Sequence, residues 1–227
     1  MAKKKVTRKE LLKAPDEFIS FSARTALFIR GHSRQFTFIG VFFACLVIIY
    51  LIVTTYLGYI NKRGQDAYNK AYYRLLQSMS TEKDQKGMEE AEKLFSKVSN
   101  DYGSSRVARL ALPELAYIKL REKKYDEAIT LYQQFLKESL SDPSYQSLTK
   151  LALSGCYEMK GDFEKAIETL KQVMAESTGS FNEQAMLNLA RVYRLTNQEE
   201  KSKDILREFV KKHETSPFLP MAKAHLN

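Results

Sequence analysis

The stretch LSGCYEMKGDFEKAIETLKQV, residues 153–173, decides the fold. Its second half has the small Ala166, with Leu170 and Val173 four and seven places later, which puts all three on one face of a helix. Alanine there admits a partner helix closely, and the larger side chains fill the groove beneath it. The first half has the complementary set Leu153, Ser154 and Tyr157, and Gly161-Asp162 between them supplies a turn. The unit is therefore a helical hairpin. The same second half recurs as MEEAEKLFSKV (88–98), YDEAITLYQQF (125–135) and, more weakly, EEKSKDILREF (199–209). Its small residues, at 91, 128, 166 and 202, are 37, 38 and 36 apart, a helical-repeat period.

Further first helices follow from this frame. Leu189-Ala190-Arg191-Val192-Tyr193 matches Leu153 to Tyr157, Leu115-Ala116 does the same one unit earlier, and Asn197-Gln198 and a less regular Lys123-Lys124 make the turns. A second periodicity supports this: Phe95, Val98, Tyr102, Ser105, Ala111 and Leu115 align at a constant offset of 111 with Leu206, Phe209, His213, Ser216, Ala222 and Leu226. Three repeats of 37 give that offset, so Pro217 to Asn227 is expected to close the open end of the stack. The expected architecture is all-α: a solenoid of about four helix pairs over residues 62–227, with second helices near 88–102, 125–138, 163–176 and 199–212, and a C-terminal capping helix. Sparse glycine (9) and proline (5) agree with long helices.

Leu153, Ser154, Tyr157, Gly161, Phe163, Ala166 and Leu170 fall at the signature spacing of the tetratricopeptide (TPR) family, which this sequence resembles from about residue 67 to 227. It departs from the family in its lengthened period, an insertion from Thr81 to Gly87 and the weak fourth unit. The whole plan also resembles the ancillary SecYEG translocon subunit family of bacterial inner membranes, with Ala67-Tyr68 and Ala71 after the apolar segment, Tyr102-Gly103, and Leu115-Ala116 ahead of Ala128. That resemblance implies a periplasmic domain near the translocon, in contact with emerging proteins and periplasmic chaperones. The basic tail and its phenylalanines differ from the short acidic tails of that family.

No charged residue occurs from Gln35 to Asn61, and FTFIGVFFACLVIIYLIVTTYL (36–57) is almost continuously apolar. As a helix rising about 1.5 Å per residue, it matches a hydrocarbon layer roughly 30 Å thick. Arg34 and Lys62-Arg63 bracket it, and Tyr50, Tyr56 and Tyr59 lie toward its second boundary. A transmembrane helix is expected over 35–61. With 34 residues ahead of it and no A-x-A-like site after it, signal-peptide cleavage is not expected. Cys45 sits mid-run, where a lipoprotein cysteine would not be.

Net charge is +9, but residues 1–34 hold nine Lys/Arg against three Asp/Glu, so the rest of the chain has a mixed surface and no nucleic-acid footprint. This basic flank places the N-terminus in the cytoplasm, since a long C-terminal domain can translocate despite its charges. Within the tail, Pro15-Asp16-Glu17 reads as a helix start. Phe18, Ile19, Ser22, Ala26 and Ile29 then follow one side, with Phe21 and Phe28 broadening it. Two readings remain for this helix, one lying on an anionic membrane surface and the other a solvated extension of the span.

Neither of the two cysteines nor any of the three histidines is placed for a disulfide or a metal site. No G-x-S-x-G, P-loop, H-E-x-x-H or G-x-G-x-x-G occurs, so no catalytic site and no cofactor are expected. Tyrosine and phenylalanine stripes at helical spacing read as repeat core. On the concave surface of first helices the expected exposed positions are Glu114, Tyr117, Arg121, Glu158, Asn188, Arg191 and Arg194, a mixture suited to weak protein recognition. Pro113, Leu151 and Leu187 replace the Lys/Asn clamp with which some TPR proteins grip a carboxyl terminus.

The expected partners are other proteins and, through the span, membrane lipid; a second copy of the chain is also admissible. The expected function, its translocon part implied by the resemblance, is a membrane-anchored interaction module assisting or scaffolding a complex such as the translocon. The alternative is a structural scaffold for envelope or division machinery without chaperone activity, and a eukaryotic organelle receptor of the same plan stays open. Alkaline carbonate extraction checks the anchor: the full chain should stay in the membrane pellet, and its release would remove the spanning helix.

Overall fold

The computed structural model describes residues 17–80, 84–138 and 142–226, with side chains from Ala23 onward. Among the described residues there are ten helices and no strand: α1 Glu17–Gly31, α2 Ser33–Ser80, α3 Gln85–Asp101, α4 Arg106–Arg121, α5 Tyr125–Glu138, α6 Pro143–Lys160, α7 Phe163–Glu176, α8 Ser180–Leu195, α9 Glu199–Lys212 and α10 Leu219–Ala224. The chain divides into two compact units, one up to Tyr56 and one from Leu57.

The first unit holds α1 and the apolar part of α2. That part is long and apolar enough to cross a membrane, and none of its most apolar window is buried. Its backbone groups are satisfied within the helix, as a hydrocarbon surrounding requires. Cys45 is exposed on it. The expected helix start at Pro15 lies outside the described residues, as do the side chains of Phe18, Ile19, Phe21 and Ser22.

The second unit is a stack of helix pairs: the end of α2 with α3, α4 with α5, α6 with α7, and α8 with α9, closed by α10. From α3 onward each helix packs on the next, and α6 also touches α8. The small residues form the seam. Ala91, Ala128 and Ala166 are wholly buried, and so, almost completely, is Ser202, whose hydroxyl donates to the Ala190 carbonyl at 2.8 Å. The fourth copy thus keeps the close approach by hydrogen-bonding its serine across the pair. Phe95, Tyr132, Leu170 and Leu206 fill the groove one turn on, and Val98, Phe135, Val173 and Phe209 the turn after. Burying each of these larger side chains contributes about 1.5–3 kcal/mol, so the stack is held mainly by this repeated set. Ala111 and Ala222, which the sequence aligns, are both fully buried, so α10 acts as a shortened first helix over α9.

The entry into the stack depends on a glycine. A β-carbon on Gly64 would lie 2.9 Å from Ser105 Oγ and 3.1 Å from Val107, so only glycine lets α2 come this close to the start of α4. Asn61 Oδ1 accepts from the Arg106 amide beside it, at 3.0 Å. Of the insertion expected at Thr81–Gly87, residues 81–83 lie outside the described residues, and the remainder already belongs to the second helix. Asp84 caps α3 by accepting from the Gly87 amide at 2.8 Å, while Arg74 of α2 pairs with both Asp84 (3.1 Å) and Glu90 (2.7 Å).

Three of the turns inside the pairs share one conformation. At Lys123, Gly161 and Asn197 the backbone is left-handed, with φ of 62°, 85° and 57°. In each, the next amide reaches back five residues: Lys124 to Lys119 (2.9 Å), Asp162 to Tyr157 (2.8 Å) and Gln198 to Tyr193 (2.8 Å). The left-handed residue itself donates three residues back, which completes a Schellman closure. The turn at Lys123, irregular by residue type, is regular in geometry. Lysine there bears the left-handed penalty that glycine escapes. Lys123 is exposed and has no ion pair, so Lys123→Gly should stabilise the unit by about 1 kcal/mol. Denaturation of the full chain in detergent, followed by helical ellipticity, checks this; an unchanged or lower midpoint would contradict it.

Candidate protein-binding face

The candidate surface lies on the first helices, the end of α2, then α4, α6 and α8, beside the stripes that they bury. Cross-repeat contacts line it. Tyr68 of α2 donates its hydroxyl to Glu114 Oε1 of α4 at 3.0 Å. Glu158 of α6 forms an ion pair with Arg191 of α8, which also reaches Asn188 Oδ1 at 3.3 Å. Arg194 meets His225 Nδ1, just past α10, at 3.1 Å. Along α4, Arg121 donates to the Tyr117 hydroxyl at 3.1 Å.

The seven residues singled out from sequence therefore fall into separate groups. Glu158, Asn188 and Arg191 come together, Tyr117 and Arg121 come together, Glu114 faces Tyr68, and Arg194 faces the cap. Only Arg121, Arg191 and Arg194 are fully exposed, while Glu114, Tyr117, Glu158 and Asn188 are part-buried. Of these charges Glu158 and Arg191 compensate each other, while Arg121, Arg194 and Glu114 have neutral hydroxyl or imidazole partners. Glu114 differs: burial pushes its carboxyl above the ordinary carboxylate range, and the hydrogen bond from Tyr68 offsets this only in part. Burial, then the charge of Glu114, pushes the Tyr68 hydroxyl upward.

Sequence reasoning missed the apolar part of this face. Tyr72 (40% exposed), Tyr145 (46%), Leu148 (53%), Met159 (61%) and Leu195 (54%) all project from first helices, whereas α3, α5, α7 and α9 expose no large hydrophobic side chain. The remaining exposed large hydrophobics of this unit are Leu57 and Tyr59 at its start, Tyr73, Leu76 and Met79 toward the end of α2, and Phe218 and Met221 at the cap. A signal was available: Tyr145, Leu148 and Met159 lie three and fourteen apart, on one helical stripe that the buried set of α6 does not use. Reading aromatic stripes as core conceals it, and the exposure of Tyr145 corrects that reading. Near the cap the face deepens into a cleft of about 220 Å³ between α8, α9 and α10, with Leu187, Arg191, Arg194, Met221 and His225 among its lining.

The second-helix side has a more open hollow of about 470 Å³ beside Lys119, whose ammonium is tied to Glu92 (2.6 Å), Glu122 (3.4 Å) and Glu127 (3.7 Å). Cys156 is buried and its thiol is pushed up to about 11, which keeps it protonated and inert at neutral pH. Among the described residues no group of three His, Cys, Asp or Glu could hold a metal ion.

Comparison with known proteins agrees with this geometry. A profile described as tetratricopeptide repeat-like domain matches residues 36–185, and one described as tetratricopeptide repeat matches residues 157–219. No curated protein matches the chain in sequence. Among solved structures, a putative kinesin light chain of nearly identical TPR-like repeats from Podosopora anserina superposes with a TM-score of 0.58 at 20% identity, over 73% of this chain and 84% of that one. A tetratricopeptide repeat protein from Parabacteroides merdae gives 0.55 at 16%, over 71% and 59%. A MamA protein gives 0.54 at 15%, over 75% and 80%. At such identities the likeness is one of fold. Since the first profile spans more than half of the 227 residues and takes in the apolar segment as well as the helix pairs, the chain belongs to the tetratricopeptide repeat-like domain family.

Proposed function

We propose that this protein is a membrane-anchored protein-binding module, held by the apolar part of α2 and working through the face of its first helices. The observation that carries the reading is that, in the unit from Leu57, the exposed large apolar side chains lie on α2, α6, α8 and the cap, and none on the second helices α3, α5, α7 and α9. Patches of this kind on an otherwise charged surface are used for contact with other proteins. The pairing of Glu158 with Arg191 leaves apolar contact as a main source of affinity there.

In the finer form of this proposal the module sits in a bacterial inner membrane with its N-terminus in the cytoplasm and its helix pairs in the periplasm. There it assists the Sec translocon by holding client segments or folding factors. The support is the resemblance of the plan to translocon-associated subunits, together with the basic flank ahead of the apolar segment. Anchoring restricts the module to two dimensions beside its complex, so weak groove contacts suffice.

Photo-crosslinking in cells tests this with the full chain. A crosslinker at Leu148 or Met159 should give adducts with translocase subunits, exported chains or periplasmic folding factors, while one at Lys171 or Gln172 of α7 should give few. Adducts arising equally from α7 would contradict the assignment of the face. A single adduct of fixed stoichiometry with a division or envelope complex, and none with exported chains, would favour the scaffold alternative.

A further inference from the structure

Carboxylates in this protein that are partly shielded from water have basic partners, with one exception. Among the described residues, Arg74 serves Asp84 and Glu90, Lys119 serves Glu92 and Glu122, and Arg191 serves Glu158. Asp162 and Glu208 have Lys165 and Lys212, and Glu183 has the imidazole of His213 at 3.4 Å together with the Ser216 hydroxyl at 2.7 Å. Glu114 is part-buried, accepts one hydrogen bond from Tyr68 and, among the described residues, has no basic side chain within 4.0 Å.

This exception is not a shortage of cations, because the chain has 36 Lys and Arg against 27 Asp and Glu. Three of the basic side chains of α4 itself are engaged elsewhere: Arg109 on the Glu138 carbonyl at 3.3 Å, Lys119 on Glu92, and Arg121 on the Tyr117 hydroxyl. The one side chain that bonds Glu114 is aromatic. Tyr68 bonds it, and Tyr72 stacks on Tyr68 with ring centroids 6.1 Å apart and planes 9° from parallel. Tyr145 of α6 and Tyr72 are both close enough to act on the Tyr68 hydroxyl, and Tyr132 of α5 is within electrostatic range of Glu114. Tyr68 thus links the carboxylate of α4 to a group of tyrosines from α2 and α6, of which Tyr72 and Tyr145 are exposed.

A shielded carboxylate without a counter-charge has lost hydration that nothing repays, so a cation arriving there gains more than it would at a solvated acid. Tyrosine faces and hydroxyls favour the same kind of guest, since the ring quadrupole attracts ammonium and guanidinium groups. A metal ion would need more ligands than one carboxylate provides. A basic side chain brings its own apolar stem to lie against Tyr145 and Leu148.

We propose that Glu114 is the receptor for a Lys or Arg side chain of the protein segment bound on the first-helix face, its charge met by the carboxylate and its stem by these tyrosines. This rests on the reading of that face as the protein-binding surface, and it names the chemistry of the segment: apolar residues with a basic residue at one fixed position. A domain that is itself slightly basic would otherwise favour acidic segments, so a preference for a cation is a specific signature.

The test uses the full chain in lipid nanodiscs and a displayed library of random dodecapeptides. Peptides selected by the unaltered protein should carry Lys or Arg at one position among apolar residues. A synthetic copy should bind about tenfold more weakly when that residue is replaced by citrulline or norleucine. Glu114→Gln, which keeps the acceptor for Tyr68 and is checked for unchanged helical ellipticity, should bind the basic and neutral peptides alike. Leu148→Asp should weaken both. Selected peptides without a basic position, or a preference that survives Glu114→Gln, would overturn the cation receptor and leave the face intact provided Leu148→Asp still weakens binding. If no peptide is selected, or Leu148→Asp changes nothing, the reading of the face fails and the receptor with it.

Discussion

The close approach of helices at Ala91, Ala128, Ala166 and Ser202 is the constraint on which the structure depends. A larger side chain at any of these positions would hold the paired helices apart and leave the apolar residues one and two turns later without a groove to fill. Because no hairpin of this size can bury its apolar side alone, each pair is stable only against its neighbours. The core accordingly forms three groups that follow one another along the stack, around α2 to α4, α4 to α8, and α8 to α10.

That arrangement also determines which surface is available for work. Outside the stripes that they bury, the first helices carry residues that packing does not require, among them tyrosines, Leu148, Met159 and Leu195. Charges among them are mostly tied up by their neighbours, which keeps the face soluble without making it a strong electrostatic lure. Glu114 stands apart as a carboxylate that the protein shields and does not neutralise. On the proposed reading, the anchor supplies proximity, the apolar side chains supply adhesion, and this carboxylate supplies selectivity.

The all-α class and the solenoid were legible because the repeat is written in residue size: a small residue, then large apolar ones four and seven places later, returning every 36 to 38 residues. The turn at Lys123 was legible only in part, since its left-handed conformation depends on the Schellman closure made by Lys124 and not on a glycine or asparagine. Serine at 202 looked like a weak copy because its hydrogen bond to Ala190 crosses between helices and leaves no mark in sequence. The polar side of the candidate face could be read from first-helix register. Its apolar side could not, because Tyr145 and Leu148 have the same residue types as the core and differ only in direction. The pairing of Glu158 with Arg191, 33 residues apart, and the isolation of Glu114 are properties of three dimensions alone.

Amide hydrogen exchange of the full chain in lipid, comparing the unaltered protein with Ala128→Leu, tests the central claim most directly. If the small-residue seam holds the pairs together, the substitution should remove protection from α4 and α5 and carry the loss into α6 and α7, since each pair depends on the next. Loss confined to the few amides around residue 128, with α4, α6 and α7 still protected, would show that the pairs stand on their own and that the seam does not hold the stack.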